Sequence, residues 1–143
     1  MGVRHFGGIR LETSNEDKPL FPESGITKSE LIDYYVRVAD WLLPHVAGRP
    51  LTLRRFPDGI GKPGFFQKDA SDYFPDWIPT VEVEKSGGVV HHVLCDKKAT
   101  LAYIANQACV TPHIWLSRAD RVREPDQLIF DLDPEGIEFD VDS

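Results

Sequence analysis

The chain of 143 residues predicts one α+β domain, and three observations carry that expectation. Two segments show apolar residues at helical spacing. Several short segments are rich in β-branched or aromatic residues and are bounded by Gly, Pro or Asp. The two kinds are interspersed, with no internal repeat and no low-complexity linker between them.

In order along the chain, the first helix is expected over 27–48, "TKSELIDYYVRVADWLLPHVAG". Thr27 and Glu30 form a capping box, Leu31, Tyr35, Val38, Ala39, Leu42 and Leu43 recur along one side, and Pro44 is expected to end or kink the helix. Strands follow at 50–56 and 64–68, separated by turn chemistry in "FPDGIGKPG", and at 80–85 and 89–95, separated by "KSGG". The second helix is expected over 97–109, with Leu101, Ile104, Ala105 and Ala108 in one stripe. Two more strands are expected at 113–118 and 127–133.

Composition narrows the class. Apolar residues make up 41% and charged residues 27%, which fits an ordinary globular protein rather than a disordered or fibrous one. No apolar run approaches the length of a membrane span, and the N-terminus lacks the apolar stretch of a signal peptide, so a cytoplasmic protein with no membrane partner is expected. Cys95 and Cys109 are flanked by apolar residues with no Cys-x-x-Cys spacing, which reads as two buried, reduced thiols. The net charge of −7 is unevenly spread: residues 1–68 hold ten Lys/Arg against eight Asp/Glu, and residues 69–143 hold six against fifteen. Such a chain suits a front that meets phosphate and a tail that gathers cations.

The tail ends in "LIFDLDPEGIEFDVDS". A strand over 127–133 puts Leu128, Phe130 and Leu132 on one face and Ile129, Asp131 and Asp133 on the other. Two carboxylates about 6.6–6.8 Å apart on one face are spaced to grip one divalent ion or bridge two, and their hard oxygens favour Mg²⁺ or Mn²⁺. A solvated acidic edge is the bland alternative. Asp140 and Asp142 have the same spacing but read as helix-capping or terminal residues.

Four motifs in order, "NEDKPLFPESGITKSELIDYY", "GRPLTLRRFPDGIGKPGFFQK", "HIWLSR" and "PDQLIFDLDP", give the chain a family resemblance over residues 11–136. It resembles the first half of the polymerase domain of bacterial ligase D, a branch of the archaeo-eukaryotic primase superfamily that serves nonhomologous end joining. The resemblance implies largely antiparallel small sheets with two main helices, as the N-terminal part of a primase-polymerase fold. It implies that Lys18 and Lys28 hold the 5′-phosphate of a downstream DNA strand, that Phe65 and Phe66 stack on template, and that His113 lies near the metals and the incoming triphosphate. Asp131 and Asp133 then hold Mn²⁺ or Mg²⁺, with a nucleoside or deoxynucleoside triphosphate as substrate. Lys28 also begins the capped helix, where free backbone N–H groups are expected to add to anion binding. Arg54, Arg55, Lys62 and Lys68 complete a basic groove around the aromatic pair, as possible contacts to the DNA backbone. Taken without the resemblance, Phe65 and Phe66 read as core aromatics.

Two departures accompany the resemblance. Thr111 and Pro112 stand where the family has an acidic and then an apolar residue before the histidine. A third metal-binding aspartate and a triphosphate-binding motif normally follow on later strands. The expectation is therefore the N-terminal half of such a domain, a nucleotidyltransferase by family but inactive alone. Its implied partners are DNA with a 5′-phosphorylated gap or double-strand break, a separate C-terminal catalytic half, a DNA ligase and Ku, in a nucleoid-associated location. Two other readings remain open: a non-catalytic module for DNA 5′-phosphates, and an acidic cation-binding or interaction domain.

Overall fold

The computed structural model describes residues 2–135. Asp140 and Asp142 lie outside them. Two short antiparallel hairpins come first, β1 (Gly2–Phe6) with β2 (Ile9–Thr13) and β3 (Pro19–Phe21) with β4 (Ile26–Thr27), leading into helix α1 (Lys28–Val46). Strand β5 (Leu51–Arg55), β6 (Phe65–Gln67), β7 (Thr80–Lys85) and β8 (Gly88–Val93) follow, then helix α2 (Lys98–Asn106) and strand β9 (Cys109–Ile114).

The mixed α+β class holds, and every recorded strand pair is antiparallel. In the five-stranded sheet, β5 is central: β9 runs along one edge, while β6 and β8 divide the other. Alternation along β5 explains its place. Leu51 and Leu53, each 1% exposed, face the helices, and Thr52 and Arg54 face away. The core beneath the sheet joins these leucines to Ile32, Tyr35 and Ala39 of α1 and to Leu101, Ile104 and Ala105 of α2. Tyr35 ties α1 to the start of β9 by donating its hydroxyl to the carbonyls of Cys109 and Val110, both at 3.0 Å. Both cysteines are free and buried, and burial pushes their thiols up to about 12, so they are inert near neutral pH.

Several expectations need correction. Helix α1 runs to Val46, two residues past Pro44; the proline lies in the last turn, where losing one backbone donor does not end the helix. The strand expected at 113–118 is instead Cys109–Ile114, because pairing with β5 begins directly after α2. The strand expected at 127–133 does not form: residues 127–134 are extended coil, with Leu128 78% and Phe130 77% exposed. Its alternation is sound, but a strand needs a ladder, and the neighbouring edge offers a poor one. Trp115 donates to Pro50 across β5 at 3.1 Å. Alternate residues of an antiparallel ladder then turn outward, so Pro112 sits where that outer edge should supply an N–H. The sequence order reads as a strand ahead of the first helix, with no residues assigned to it; up to Thr27 the structure has four, of two to five residues each.

Candidate functional site

Lys28 is the first residue of α1 and only 6% exposed, yet it is a lysine. Among the described residues no carboxylate lies within ion-pair distance of its ammonium and no hydrogen bond to its side chain is recorded. Burial lowers its pKa below that of an ordinary lysine, and Lys18 and Arg55 lower it further by repulsion. Glu16 opposes them only weakly, because Arg4 holds that carboxylate at 2.7 Å. Lys18 itself reaches Asp58 at 3.3 Å across an exposed contact of little energetic weight. Three cations thus lie close enough to repel one another, and among them Lys18 has a carboxylate partner while Lys28 has none recorded among the described residues.

The helix N-terminus contributes less than expected. Lys28 N–H is taken by the Lys18 carbonyl at 2.9 Å, Ser29 N–H by the Glu16 carbonyl at 2.9 Å, and Glu30 N–H by the Thr27 hydroxyl at 3.3 Å. The loop before β3 folds back over the first turn and occupies the free donors, so side-chain ammonium groups carry the positive character.

Phe65 and Phe66 are 45% and 52% exposed, which corrects the core reading: β6 is a three-residue edge strand with too few neighbours to bury both rings. Being adjacent, they point to opposite faces. Phe65 pairs with Arg55, whose guanidinium lies 5.1 Å from its ring on the helix side. Phe66 pairs with Arg54, which is 4.3 Å from the Phe66 ring and 5.2 Å from Phe56 on the other side. His113, opposite Thr52 in the register of β5 and β9, joins this second group, with its ring 5.7 Å from Phe66.

The expected residues therefore divide into two sets on either side of β6. Lys18, Lys28, Arg55 and Phe65 belong to the helix side; Arg54, Phe66 and exposed His113 belong to the opposite face. Arg55 donates to the Gln107 carbonyl at 2.7 Å and to Gln67 Oε1 at 2.8 Å, which fixes the position of its guanidinium. Lys62 and Lys68 are exposed and flank β6 without a recorded partner among the described residues. Asp131 and Asp133 are exposed on the unpaired segment, and among the described residues no set of three potential metal ligands includes them.

Sequence reasoning missed Arg49. It is 5% exposed and donates both terminal nitrogens to the Asp126 carboxylate at 2.8 Å each. The available signal was an arginine wedged between a helix end and Pro50, where burial demands a partner.

Similarity to known proteins extends over most of the chain. The family model for the primase-polymerase domain of LigD matches residues 27–142. The multifunctional non-homologous end joining protein LigD of Mycolicibacterium smegmatis is 33% identical over 139 residues, covering 95% of this chain and 18% of that protein. The corresponding DNA repair protein LigD of Mycobacterium tuberculosis is 38% identical over 139 residues, covering 90% of this chain and 18% of the relative. The chain thus spans about a fifth of the length of these curated relatives. The solved polymerase domain of Mycobacterium tuberculosis ligase D in complex with DNA superposes with a TM-score of 0.74 at 38% identity, over 76% of this chain and 38% of that one. With the family model covering most of its length, the chain belongs to the LigD primase-polymerase domain family.

Proposed function

We propose that this chain recognises the 5′-phosphate at a DNA gap or break, as part of an end-joining primase-polymerase that adds templated nucleotides to a 3′-hydroxyl. The observation that carries the reading is the unpaired ammonium of Lys28, a residue whose stem is buried, beside Lys18 and Arg55. A cation partly withdrawn from water without a counter-ion is unfavourable by itself, and a terminal phosphate is the kind of compact dianion that relieves it. Phe66 over Arg54, with Lys62 and Lys68 alongside, offers a stacking platform in a basic setting, which suits a template base. The solved relative is a polymerase domain in complex with DNA, which supports a DNA-binding reading.

The metal reading rests on donor chemistry. Asp131 and Asp133 are exposed carboxylates with no recorded partner among the described residues, and hard oxygen donors fit Mn²⁺ or Mg²⁺ as two members of a larger ligand set. Such an ion, when bound, neutralises triphosphate charge and activates the 3′-hydroxyl. His113, exposed beside Phe66, would supply an imidazole donor to a phosphate oxygen. Full polymerase activity, a ligase partner and Ku belong to the whole protein in this reading.

The test is competition between two gapped duplexes that differ only in a 5′-phosphate or 5′-hydroxyl. The phosphorylated duplex is expected to win, and equal affinity overturns the reading. Affinity should also fall steeply with salt, and removing one phosphate-contacting lysine should lower the log–log slope by about 1. A pH dependence follows from Lys28. Its depressed pKa means that the free protein loses this proton earlier than an ordinary lysine does. The preference for phosphate is therefore expected to be full at neutral pH and to fade as pH rises through the lowered value, whereas Lys28→Arg should keep the preference to higher pH.

A further inference from the structure

Just beyond the end of β9 the chain folds back and is joined to itself at one point. Leu116, the residue after Trp115, accepts backbone hydrogen bonds from Asp126 at 2.9 Å and Gln127 at 3.3 Å. Since Trp115 bonds inward to Pro50, Leu116, Ile114 and Pro112 are the residues whose backbone groups turn outward. Both bonds end on one carbonyl; taking the shorter as the pairing, with Asp126 opposite Leu116, antiparallel continuation would set Leu128 opposite Ile114 and Asp131 opposite Thr111. Directly opposed residues share a face. Asp131 and Asp133 then emerge on the face of Thr111, His113 and Arg54, and a slip of one residue sends both carboxylates to the other face.

One contact determines where this register starts. Buried Arg49 grips Asp126 with two hydrogen bonds of 2.8 Å and reaches the Trp115 carbonyl at 3.4 Å. Its own backbone is held between α1 and β5, with N–H to the Val46 carbonyl at 3.2 Å. The pair of bonds keeps the Asp126 carboxyl below the usual carboxylate range. A two-pronged guanidinium–carboxylate contact fixes orientation as well as distance, as a lysine ammonium does not.

Residues 127–133 are unpaired in the structure, and we propose that Arg49 and Asp126 form a register pin: when this segment adds to the outer edge of β9, the pin fixes its register and so delivers Asp131 and Asp133 to the face that carries His113. The use of those carboxylates rests on the metal reading above; the register itself does not. Arg49 is here a positioning residue.

Disulfide trapping in the full chain tests it without metal or DNA. In the Ile114→Cys/Leu128→Cys variant the thiols are in register, and in Ile114→Cys/Ile129→Cys they are one residue out. Under mild oxidation the first is expected to cross-link about tenfold more than the second, given the narrow separation a disulfide tolerates. Adding Arg49→Lys, or Asp126→Asn on the exposed partner should the first variant fail to fold, is expected to erase that preference. Equal yields in the parent background, no cross-link in either pair, or a preference unchanged by both Arg49→Lys and Asp126→Asn would overturn the proposal. Mn²⁺ titration followed by water proton relaxation separates the two readings: about tenfold weaker binding in Arg49→Lys supports the pin, by analogy with outer ligand supports. If the parent chain binds no Mn²⁺, the cross-linking ratio decides the pin alone.

Discussion

Lys28→Met is expected to make the domain more stable and at the same time unable to distinguish a phosphorylated DNA end from a hydroxyl one. The lysine is buried, repelled by Lys18 and Arg55, and without a carboxylate partner among the described residues. Methionine keeps the aliphatic stem in contact with its surroundings and removes the desolvated charge, a gain of about 1 kcal/mol. In a domain of this size that raises the thermal midpoint by about 2–4 °C. The sign with pH follows from the depressed pKa of Lys28: the unfolded chain holds this proton more tightly than the folded one. The penalty in the parent is therefore full at neutral pH and relieved as pH rises through the folded value, so the gain in the variant should shrink under alkaline conditions. Affinity moves the other way. Loss of a charge-assisted contact to phosphate removes about 1.5–3 kcal/mol, roughly a tenfold to hundredfold loss of preference. Denaturation curves and the gapped-duplex competition measure both arms, and a less stable variant would mean that Lys28 has an internal structural partner.

Leu53→Ala is expected to have the largest effect on stability, a loss of about 3–4 kcal/mol. Leu53 is 1% exposed, lies in the central strand, and is paired with Gln67 on one side and Pro112 on the other. Against a total of about 5–15 kcal/mol that is a large fraction, so the urea midpoint should fall steeply with the slope unchanged. Leu132→Ala is the matched control: Leu132 is 74% exposed, and a change within about 0.5 kcal/mol is expected there. Because Arg54 and Arg55 follow Leu53 and serve opposite faces, both halves of the site are expected to be lost together when β5 loosens.

Much of the fold was legible because its signals are local. The Thr27–Glu30 box, the helical stripe of α1 and the turn residues around "FPDGIGKPG" and "KSGG" each act within a few residues, and the corresponding elements appear close to their expected spans. The grouping of site residues was less legible, since it depends on pairing between distant segments. That Phe65 and Phe66 would be separated follows from strand alternation, but which one meets His113 depends on the register of β5 with both β6 and β9. The occupied donors at the start of α1 come from carbonyls at Glu16 and Lys18, a loop whose return path no periodicity announces. The alternation over 127–133 was real, but alternation describes one strand and a ladder needs two; Pro112 weakens the second. Arg49 escaped notice because a single arginine has no pattern, and only its burial marks it.

The two inert thiols have a practical consequence. With pKa values pushed up to about 12, each is ionised in only about one molecule in ten thousand at pH 8, and each is shielded by the core. A cysteine introduced at an exposed position such as Lys68 or Leu128 would react orders of magnitude faster than either native thiol. The sequence is therefore ready for site-specific attachment of fluorophores or spin labels at such exposed positions, with no background to engineer away.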